Sequence, residues 1–385
     1  MNPPRQTIDR RQFLQQASSL ALLPLPWLTG CQSTPPVNEL DIPAKAWAQL
    51  RASLSGKVLF PGDCAFNGLV RPWNLRYKDR KPSGLARCAS VEDIRVCLQW
   101  AQEHKVPFVG RSGGHSYAGY STTPGLMIDL SQMDSLTSDS SGLVKVGAGA
   151  RNATLYSKLP PLSRAVTHGR CKEVGVGGLV LGGGVGFNMR WRGLLIDQLV
   201  ATELMTADGK VHQCRKDKNP DYLWACKGGG GGNFGINTSF TFQSFEVGHV
   251  TVFDLSWTDD IDTLFPLALE LLPTLPDEFG CKLWLVRKRD SFTLNLLGQF
   301  HGPESELRRL LSPLLNRGKA SKERIEYKPY WDVQTSFLGE DGSPEYSHER
   351  SRYVFKPISS KGVATILSQM RSWPGTSAQT SWRPS

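Results

Sequence analysis

The sequence predicts an α+β protein in two parts, and three observations predict it. A chain of 385 residues, 39% apolar and 21% charged, has the make-up of a globular protein long enough for two domains. Glycine is dense in three stretches, at 110–114, 169–186 and 228–232, and thins out around Val247. Beyond that point a different pattern takes over: apolar strands at 250–257, 282–288 and 292–300 with helical periodicity at 261–272 and 304–315. Strands and helices in that order make an α+β unit with a mainly antiparallel sheet.

The chain opens on a leader. Asp9-Arg10-Arg11-Gln12-Phe13-Leu14 looks like a twin-arginine export motif, and the apolar run 17–28 behind it is too short and too broken by proline to span a bilayer. Leu28-Thr29-Gly30-Cys31 resembles a lipobox, in which Cys31 would be acylated and become the mature N-terminus; a plain leader with an incidental cysteine is the other reading. Residues 32–56 read as a tether, polar and Pro-rich as far as 43, and the folded part is expected from Lys57. The net charge of +10 is spread along the chain instead of clustering with aromatics, which argues for solvated surface over a nucleic-acid interface. Cys64, Cys88, Cys97, Cys214, Cys226 and Cys281 show no C-x-x-C spacing, so a zinc site is not expected and single buried thiols are the default.

In the first part, Ser90-Val91-Glu92-Asp93 reads as a capping box, and Ile94, Cys97, Leu98 and Ala101 continue a helix to about His104. That helix leads into a short strand at 106–110 and the turn Arg111-Ser112-Gly113-Gly114-His115-Ser116-Tyr117. Gly113 and Gly114 can bring successive amides onto a diphosphate, with Arg111, Ser112 and Ser116 available to its oxygens. His115 adds a nucleophile, since a neutral imidazole can bond to an electrophilic cofactor carbon; a histidine in such a turn is also commonly a simple hydrogen-bonding residue. Strands follow at 126–130 and 143–149, and Asn152 reads as the cap of a helix through Leu159. After Cys171 come Gly175, Gly177, Gly178, Gly182, Gly183, Gly184 and Gly186, a backbone stripped of side chains where something large and flat can lie close. These spacings fit neither a Rossmann fingerprint nor a P-loop. Asp208-Gly209 marks a hairpin, Pro220 starts a helix to Cys226, and the five-glycine run after it precedes an alternating strand at 236–242, which suits close approach to a ligand better than a linker.

Four pieces in this order resemble a known family: R-S-G-G-H-S-Y from Arg111, G-R-C-K-E-V-G-V-G-G from Gly169, G-G-G-V-G-F-N-M-R from Gly182 and K-G-G-G-G-G-N-F-G from Lys227. The chain is similar over residues 57–245, and more faintly to 356, to the FAD-linked oxidases related to vanillyl-alcohol oxidase, in their berberine-bridge-enzyme-like branch. The resemblance implies a PCMH-type FAD-binding domain over 57–247 and an α+β substrate domain over 248–385. It also implies FAD bound covalently through His115 and Cys171, with Val174, Gly175, Gly178, Gly182, Gly183, Asn233 and Ile236 completing the cofactor site. Cys171 decides between one covalent link and two, the other reading of it being a buried, inert thiol.

By the same resemblance the reaction is hydride transfer from an alcohol, sugar or amine carbon of a small-molecule or oligosaccharide substrate to the flavin. Dioxygen would then take the electrons and leave as hydrogen peroxide. The small Val174 would leave the oxygen-facing side open, and Trp284, Asn295 and Gln299 could face the ring from the second part. The tail 371–385 reads as polar and unpatterned, like a readthrough, so an incomplete substrate domain with an uncovered sheet edge is expected, and no catalytic base is assigned. A truncated flavin-binding remnant without activity is the competing reading.

Overall fold

The computed structural model describes residues 40, 42–289, 291–337, 343–348, 351, 354, 356–375 and 377–382. The twin-arginine segment, the apolar run and Cys31 lie outside the described residues. The segment from Leu40 to Ser385 forms one compact unit. No helix among the described residues is long and apolar enough to cross a membrane.

The unit starts earlier than the sequence suggested. Within the expected tether lies helix α1 (Ala44–Ser53), which buries Ala46 and Leu50. Its Trp47 packs on Trp100 at 4.4 Å between ring centroids, and the Trp100 indole N–H donates to the Ala46 carbonyl at 2.9 Å. One alanine and one leucine, with the half-buried Trp47 beside them, make up this helix's buried face, too faint a stripe to stand out in sequence.

Strand β1 (Lys57–Leu59), helix α2 (Phe66–Val70), strand β2 (Gly84–Arg87), helix α3 (Val91–Glu103), strand β3 (Phe108–Arg111) and strand β4 (Leu126–Asp129) build the first layer. Its four-stranded sheet has the order β1-β2-β4-β3, with β1 antiparallel to β2 and both β2 and β3 parallel to β4. Helix α3 starts where the capping signal placed it, with Ser90 Oγ accepting from the Asp93 N–H at 3.1 Å. Asp93 does not complete the box. Its buried carboxylate accepts instead from Ala89 N at 2.8 Å, Ser55 N at 2.8 Å and Gly56 N at 3.1 Å, which ties the chain before β1 to the start of α3. Burial works against the charge, but these donors prevail and hold the Asp93 carboxyl below its usual range.

A second sheet follows. Strand β5 (Leu136–Ser138), strand β6 (Leu143–Gly147), helix α4 (Asn152–Lys158), the short strand β7 (Arg164–Ala165), helix α5 (Val176–Leu181), helix α6 (Met189–Arg192), strand β8 (Leu199–Met205), strand β9 (Val211–Arg215), helix α7 (Pro220–Cys226), strand β10 (Ile236–Gln243) and strand β11 (Phe245–Glu246) come in that order. The strands pair antiparallel as β5-β6-β10-β8-β9, with β11 and β7 forming a separate ribbon. The hairpin at Asp208-Gly209 is present as β8 and β9.

The third sheet is the mainly antiparallel one. Strand β12 (His249–Trp257), helix α8 (Ile261–Leu271), strand β13 (Phe279–Lys288), strand β14 (Ser291–Phe300) and helix α9 (Glu304–Leu315) sit at or within three residues of the bounds expected from periodicity. Four further elements were not read from sequence: strand β15 (Lys322–Pro329), helix α10 (Tyr330–Ser336), helix α11 (Ser360–Ser372) and strand β16 (Ser377–Trp382). The order is β15-β12-β14-β13-β16. The tail is therefore not unpatterned: β16 pairs antiparallel with β13 from Lys288 to Leu283 and covers that edge, and Trp382 packs on Phe265 at 4.8 Å. Along β12 the alternation serves two cores. Val250 and Val252 join the core of the first part, while Phe253, Leu255 and Trp257 join one shared with α8, α9 and α11.

A buried polar chain crosses between these regions. Gln334 Nε2 donates to Gln299 Oε1 at 2.6 Å, Gln299 Nε2 to Asn188 Oδ1 at 2.6 Å, and Asn188 Nδ2 to the Tyr330 hydroxyl at 2.7 Å. Tyr330 lies 2.9 Å from His168 Nε2, and His168 Nδ1 lies 3.1 Å from the Gly169 carbonyl. A carbonyl can only accept, so the proton sits on Nδ1 and Nε2 accepts from Tyr330. Burial pushes His168 down to about 4, and His301, whose Nε2 lies 2.8 Å from Asn188 Oδ1, down to about 4 as well.

Two outcomes are expected. Asp93→Asn should destabilise the fold by about 2 kcal/mol, because the donors it serves lose a charged acceptor. Because the native Asp93 pKa is depressed, its contribution is present above the unfolded-state pKa and disappears as pH falls through the native value, so the loss in urea unfolding at pH 7 should shrink at pH 3. For the polar chain, Tyr330→Phe should cost about 2 kcal/mol by stranding His168 and Asn188. The native His168 and His301 pKa values lie below the ordinary 6.5, so the unfolded chain binds more protons and the melting temperature should fall as pH drops from 6.5 to about 4.

Candidate functional site

The two glycine-rich stretches singled out in sequence pack directly against each other. A Cβ added at Gly113 would lie 2.3 Å from Gly175 N and 2.6 Å from the Glu173 carbonyl; one added at Gly175 would lie 2.2 Å from Gly113 N and 2.2 Å from Ser112 Oγ. Neither distance leaves room for a methyl group, so the two loops can only meet where both lack side chains. Gly114 has φ of +72°, and its missing Cβ is replaced by the Arg111 guanidinium beneath it.

That guanidinium corrects an expectation. Arg111 was expected to reach a diphosphate, but it is buried and donates to the carbonyls of Arg71 at 2.6 Å, Val70 at 3.3 Å and Ser121 at 3.5 Å. Ser112 is likewise engaged, donating to the Ala148 carbonyl at 2.7 Å. The physical reason is that carbonyls in a turn have no sheet partner and need donors, which these two side chains supply. Ser116 Oγ accepts from the Tyr120 N–H at 3.0 Å and keeps its own proton to donate. The anion-binding capacity of the loop rests mainly on its backbone: among the described residues, the amides of Gly113, Gly114, His115 and Ser116 donate to no protein group.

His115 follows this row of amides. Its ring is half-buried and stacked on Trp73 at 5.6 Å, and the Trp73 N–H donates to the Gly114 carbonyl at 3.1 Å. Burial lowers its pKa; Glu173 on the partner loop opposes this, and Arg151 and Arg111 add to it. The imidazole is thereby favoured in its neutral, nucleophilic form.

Cys171 is exposed and free, unlike the buried thiols Cys88, Cys97, Cys214, Cys226 and Cys281. Cys171 is therefore not the buried thiol of the alternative reading. Its segment is clamped by α4: the Tyr156 hydroxyl donates to the Gly169 carbonyl, Asn152 Nδ2 to the Cys171 carbonyl at 2.9 Å, Ala153 N to the Lys172 carbonyl at 3.1 Å and Asn152 N to the Val174 carbonyl at 3.0 Å. An Arg151–Glu173 ion pair joins the same two segments. Sequence reading took Asn152 as a helix cap, but it is the first residue of α4, completely buried, and its amide reaches across the chain. Burial and the nearby Cys171 raise the Tyr156 phenol above its ordinary range.

Beyond Val174, Gly175 caps α5, and the amides of Gly175, Gly177 and Gly178 also lack a partner among the described residues. Gly178 is exposed, with nothing within 4 Å of an added Cβ. Gly182 closes the helix by donating to the Gly178 carbonyl at 3.2 Å, and Gly183 turns the chain with φ of +103°. The third glycine run reaches the same helix, since a Cβ at Gly231 would touch Leu181 at 3.6 Å. Asn233 lies in that exposed loop, its Nδ2 donating to the Gly229 carbonyl at 2.6 Å. Ile236, buried at the start of β10, faces Gly110 behind β3.

Trp284, Asn295 and Gln299 share the sheet face opposite α8 and α9. Gln299 is completely buried in the polar chain and Asn295 bonds Ser256 Oγ at 2.9 Å. Trp73, Asn152 and Glu173 were missed because their partners are remote in sequence.

These residues fit a bound dinucleotide. Two rows of unpartnered amides lie at a joint that a single Cβ would fill, and a neutral imidazole and an exposed thiol stand on the loops on either side. Comparison with known proteins agrees. A family profile described as an FAD binding domain matches residues 82–215. An uncharacterized FAD-linked oxidoreductase of Bacillus subtilis, YgaK, is 32% identical over 336 residues, covering 85% of this chain and 74% of its own length. Glucooligosaccharide oxidase of Sarocladium strictum is 31% identical over 295 residues, 74% of this chain and 58% of that protein. Among solved structures, 6-hydroxy-D-nicotine oxidase from Arthrobacter nicotinovorans superposes with a TM-score of 0.71 at 28% identity, covering 75% of this chain and 66% of that one. Glucooligosaccharide oxidase from Acremonium strictum, described with a 6-S-cysteinyl, 8α-N1-histidyl FAD, gives 0.75 at 25% identity, covering 88% and 74%. The chain thus spans between about half and three quarters of the length of curated relatives such as these. It belongs to the FAD-linked oxidoreductases of the vanillyl-alcohol oxidase superfamily and carries their PCMH-type FAD-binding fold.

Proposed function

We propose that this oxidoreductase is an exported oxidase whose FAD is tethered twice, by His115 and by Cys171. It would take a hydride from an alcohol, sugar or amine carbon and deliver the electrons to dioxygen, giving hydrogen peroxide. The observation that carries the reading is the Gly113–Gly175 joint, which brings the His115 loop against the loop of an exposed cysteine. The family relationship adds that the likeness includes oxidases of oligosaccharides and of hydroxynicotine. The substrate class is thus a small molecule or oligosaccharide, and the twin-arginine and lipobox signals support export with an N-terminal lipid anchor.

When bound, FAD supplies the hydride acceptor and the route of the electrons to dioxygen. The chain's own contribution is placement. The amides of residues 113–116 and those of Gly175, Gly177 and Gly178 suit the diphosphate, and Ser116 has a proton to add. The neutral imidazole of His115 supplies the nucleophile for one tether, and the Cys171 sulfur the other. Two tethers hold a ring without enclosing it, which suits a bulky donor, and the small Val174 beside Cys171 leaves access for oxygen.

The test is acid precipitation of the purified protein. Yellow colour should stay in the pellet of wild type and of His115→Ala and Cys171→Ala singly, and wash out only from the double variant; colour washing out of wild type would end the reading. Peroxide release with a panel of sugars and alcohols should accompany turnover, whereas a yellow protein inert to every donor would favour flavin binding without catalysis.

A further inference from the structure

Helix α4 meets the cysteine segment in an unusual way. A helix N-terminus needs acceptors for its first amides, and here those acceptors are the carbonyls of the Cys171 segment itself. Ala153 N donates to Lys172 O and Asn152 N to Val174 O, while the Asn152 side chain adds Nδ2 to Cys171 O at 2.9 Å. The Asn152 side chain is completely buried, and its Oδ1 has no partner among the described residues. A buried amide with an orphaned oxygen weakens a fold that an apolar residue of similar size would not. The orientation of the amide is set by chemistry, since the Cys171 carbonyl can only accept.

With the carbonyls of Gly169, Lys172 and Val174 also held by α4, and Val174 N donating to the Cys171 carbonyl at 3.3 Å, the Asn152 bond to that carbonyl restricts the directions in which the Cys171 side chain can leave the backbone. We propose that Asn152 is the positioning residue for the second flavin link: by holding the Cys171 carbonyl against α4 it keeps the thiol exposed on the outer side of that segment. This rests on the doubly tethered reading above. In the linking step the Cys171 sulfur gives up its proton and bonds to ring carbon 6, which loses its hydrogen as a proton. The two electrons released pass to dioxygen, which leaves with both protons as hydrogen peroxide. Asn152 takes no part in those transfers; it sets the approach of the sulfur, for which a displacement of roughly an ångström can cost on the order of a hundredfold in rate.

The experiment compares wild type, Asn152→Asp and Asn152→Ala as purified holoproteins, digested and read by mass spectrometry. Two quantities are measured: the fraction of His115 peptide that carries flavin, and the fraction of that flavin also joined to the Cys171 peptide. Both should be near complete in wild type. In the variants the His115 link should persist, while the fraction joined to Cys171 falls by at least about tenfold. The flavin absorbance should revert to that of Cys171→Ala, and a thiol reagent should now titrate Cys171. Asp keeps the size of Asn but turns an acceptor toward the carbonyl, so it should be at least as damaging as Ala. Wild-type joining in either variant overturns the proposal, and so does equal loss of both links in the two variants, which would make Asn152 a support of the fold alone. A wild type with flavin on His115 but none on Cys171 would instead overturn the double tether, and this inference with it.

Discussion

The structure depends on one contact, the place where the backbone of Gly113 meets that of Gly175. Each residue occupies the volume a Cβ on the other would need, so the approach is set by van der Waals exclusion and tolerates glycine alone on both sides. Around this joint the two loops are fastened separately to their own supports. Arg111 and Ser112 brace the first from below, and α4 grips the second along residues 169–174. The chemistry of the site, a neutral imidazole and an exposed thiol, is carried on loops that could not be brought together by attraction between those two groups.

The second part of the molecule reaches the same place by another route. Gln334, Gln299, Asn188, Tyr330 and His168 form a directed chain of donors and acceptors ending on the Gly169 carbonyl, two residues before Cys171. A buried chain of this kind is stabilising only while each member is paired, so the sheet carrying β14 and the cysteine segment are held in one arrangement. Packing of Trp331 on His168 at 5.4 Å adds an apolar brace beside it.

How much of this was legible in sequence follows from the range of the forces involved. Strands β12, β13 and β14 and helices α8 and α9 announce themselves through period-two and helical alternation, because each buries one face against its neighbours. Helix α11 carried the same signal in Val363, Leu367 and Met370, obscured by reading the chain beyond it as a featureless tail. Strand β16 gave almost none: it is polar apart from Ala378 and Trp382 and is held by backbone pairing to β13. At the site, glycine spacing revealed that backbone comes close to something, since only steric need explains so many glycines. It could not reveal which side chains point inward. Arg111 and Ser112 look like anion ligands until the unpaired carbonyls of residues 70, 71, 121 and 148 are known, and Asn152 looks like a cap until Cys171 is seen opposite it.

The most direct test is a pair of glycine-to-alanine substitutions whose new methyl groups meet different surroundings. Gly175→Ala places its methyl on the Gly113 backbone, while Gly178→Ala, three residues on, places its own in open space. Melting temperature and flavin content should both fall for Gly175→Ala, whereas Gly178→Ala, inside α5, should melt at or above the wild-type temperature. A Gly175→Ala protein that melts and retains flavin as wild type does would contradict the claim that this joint organises the site.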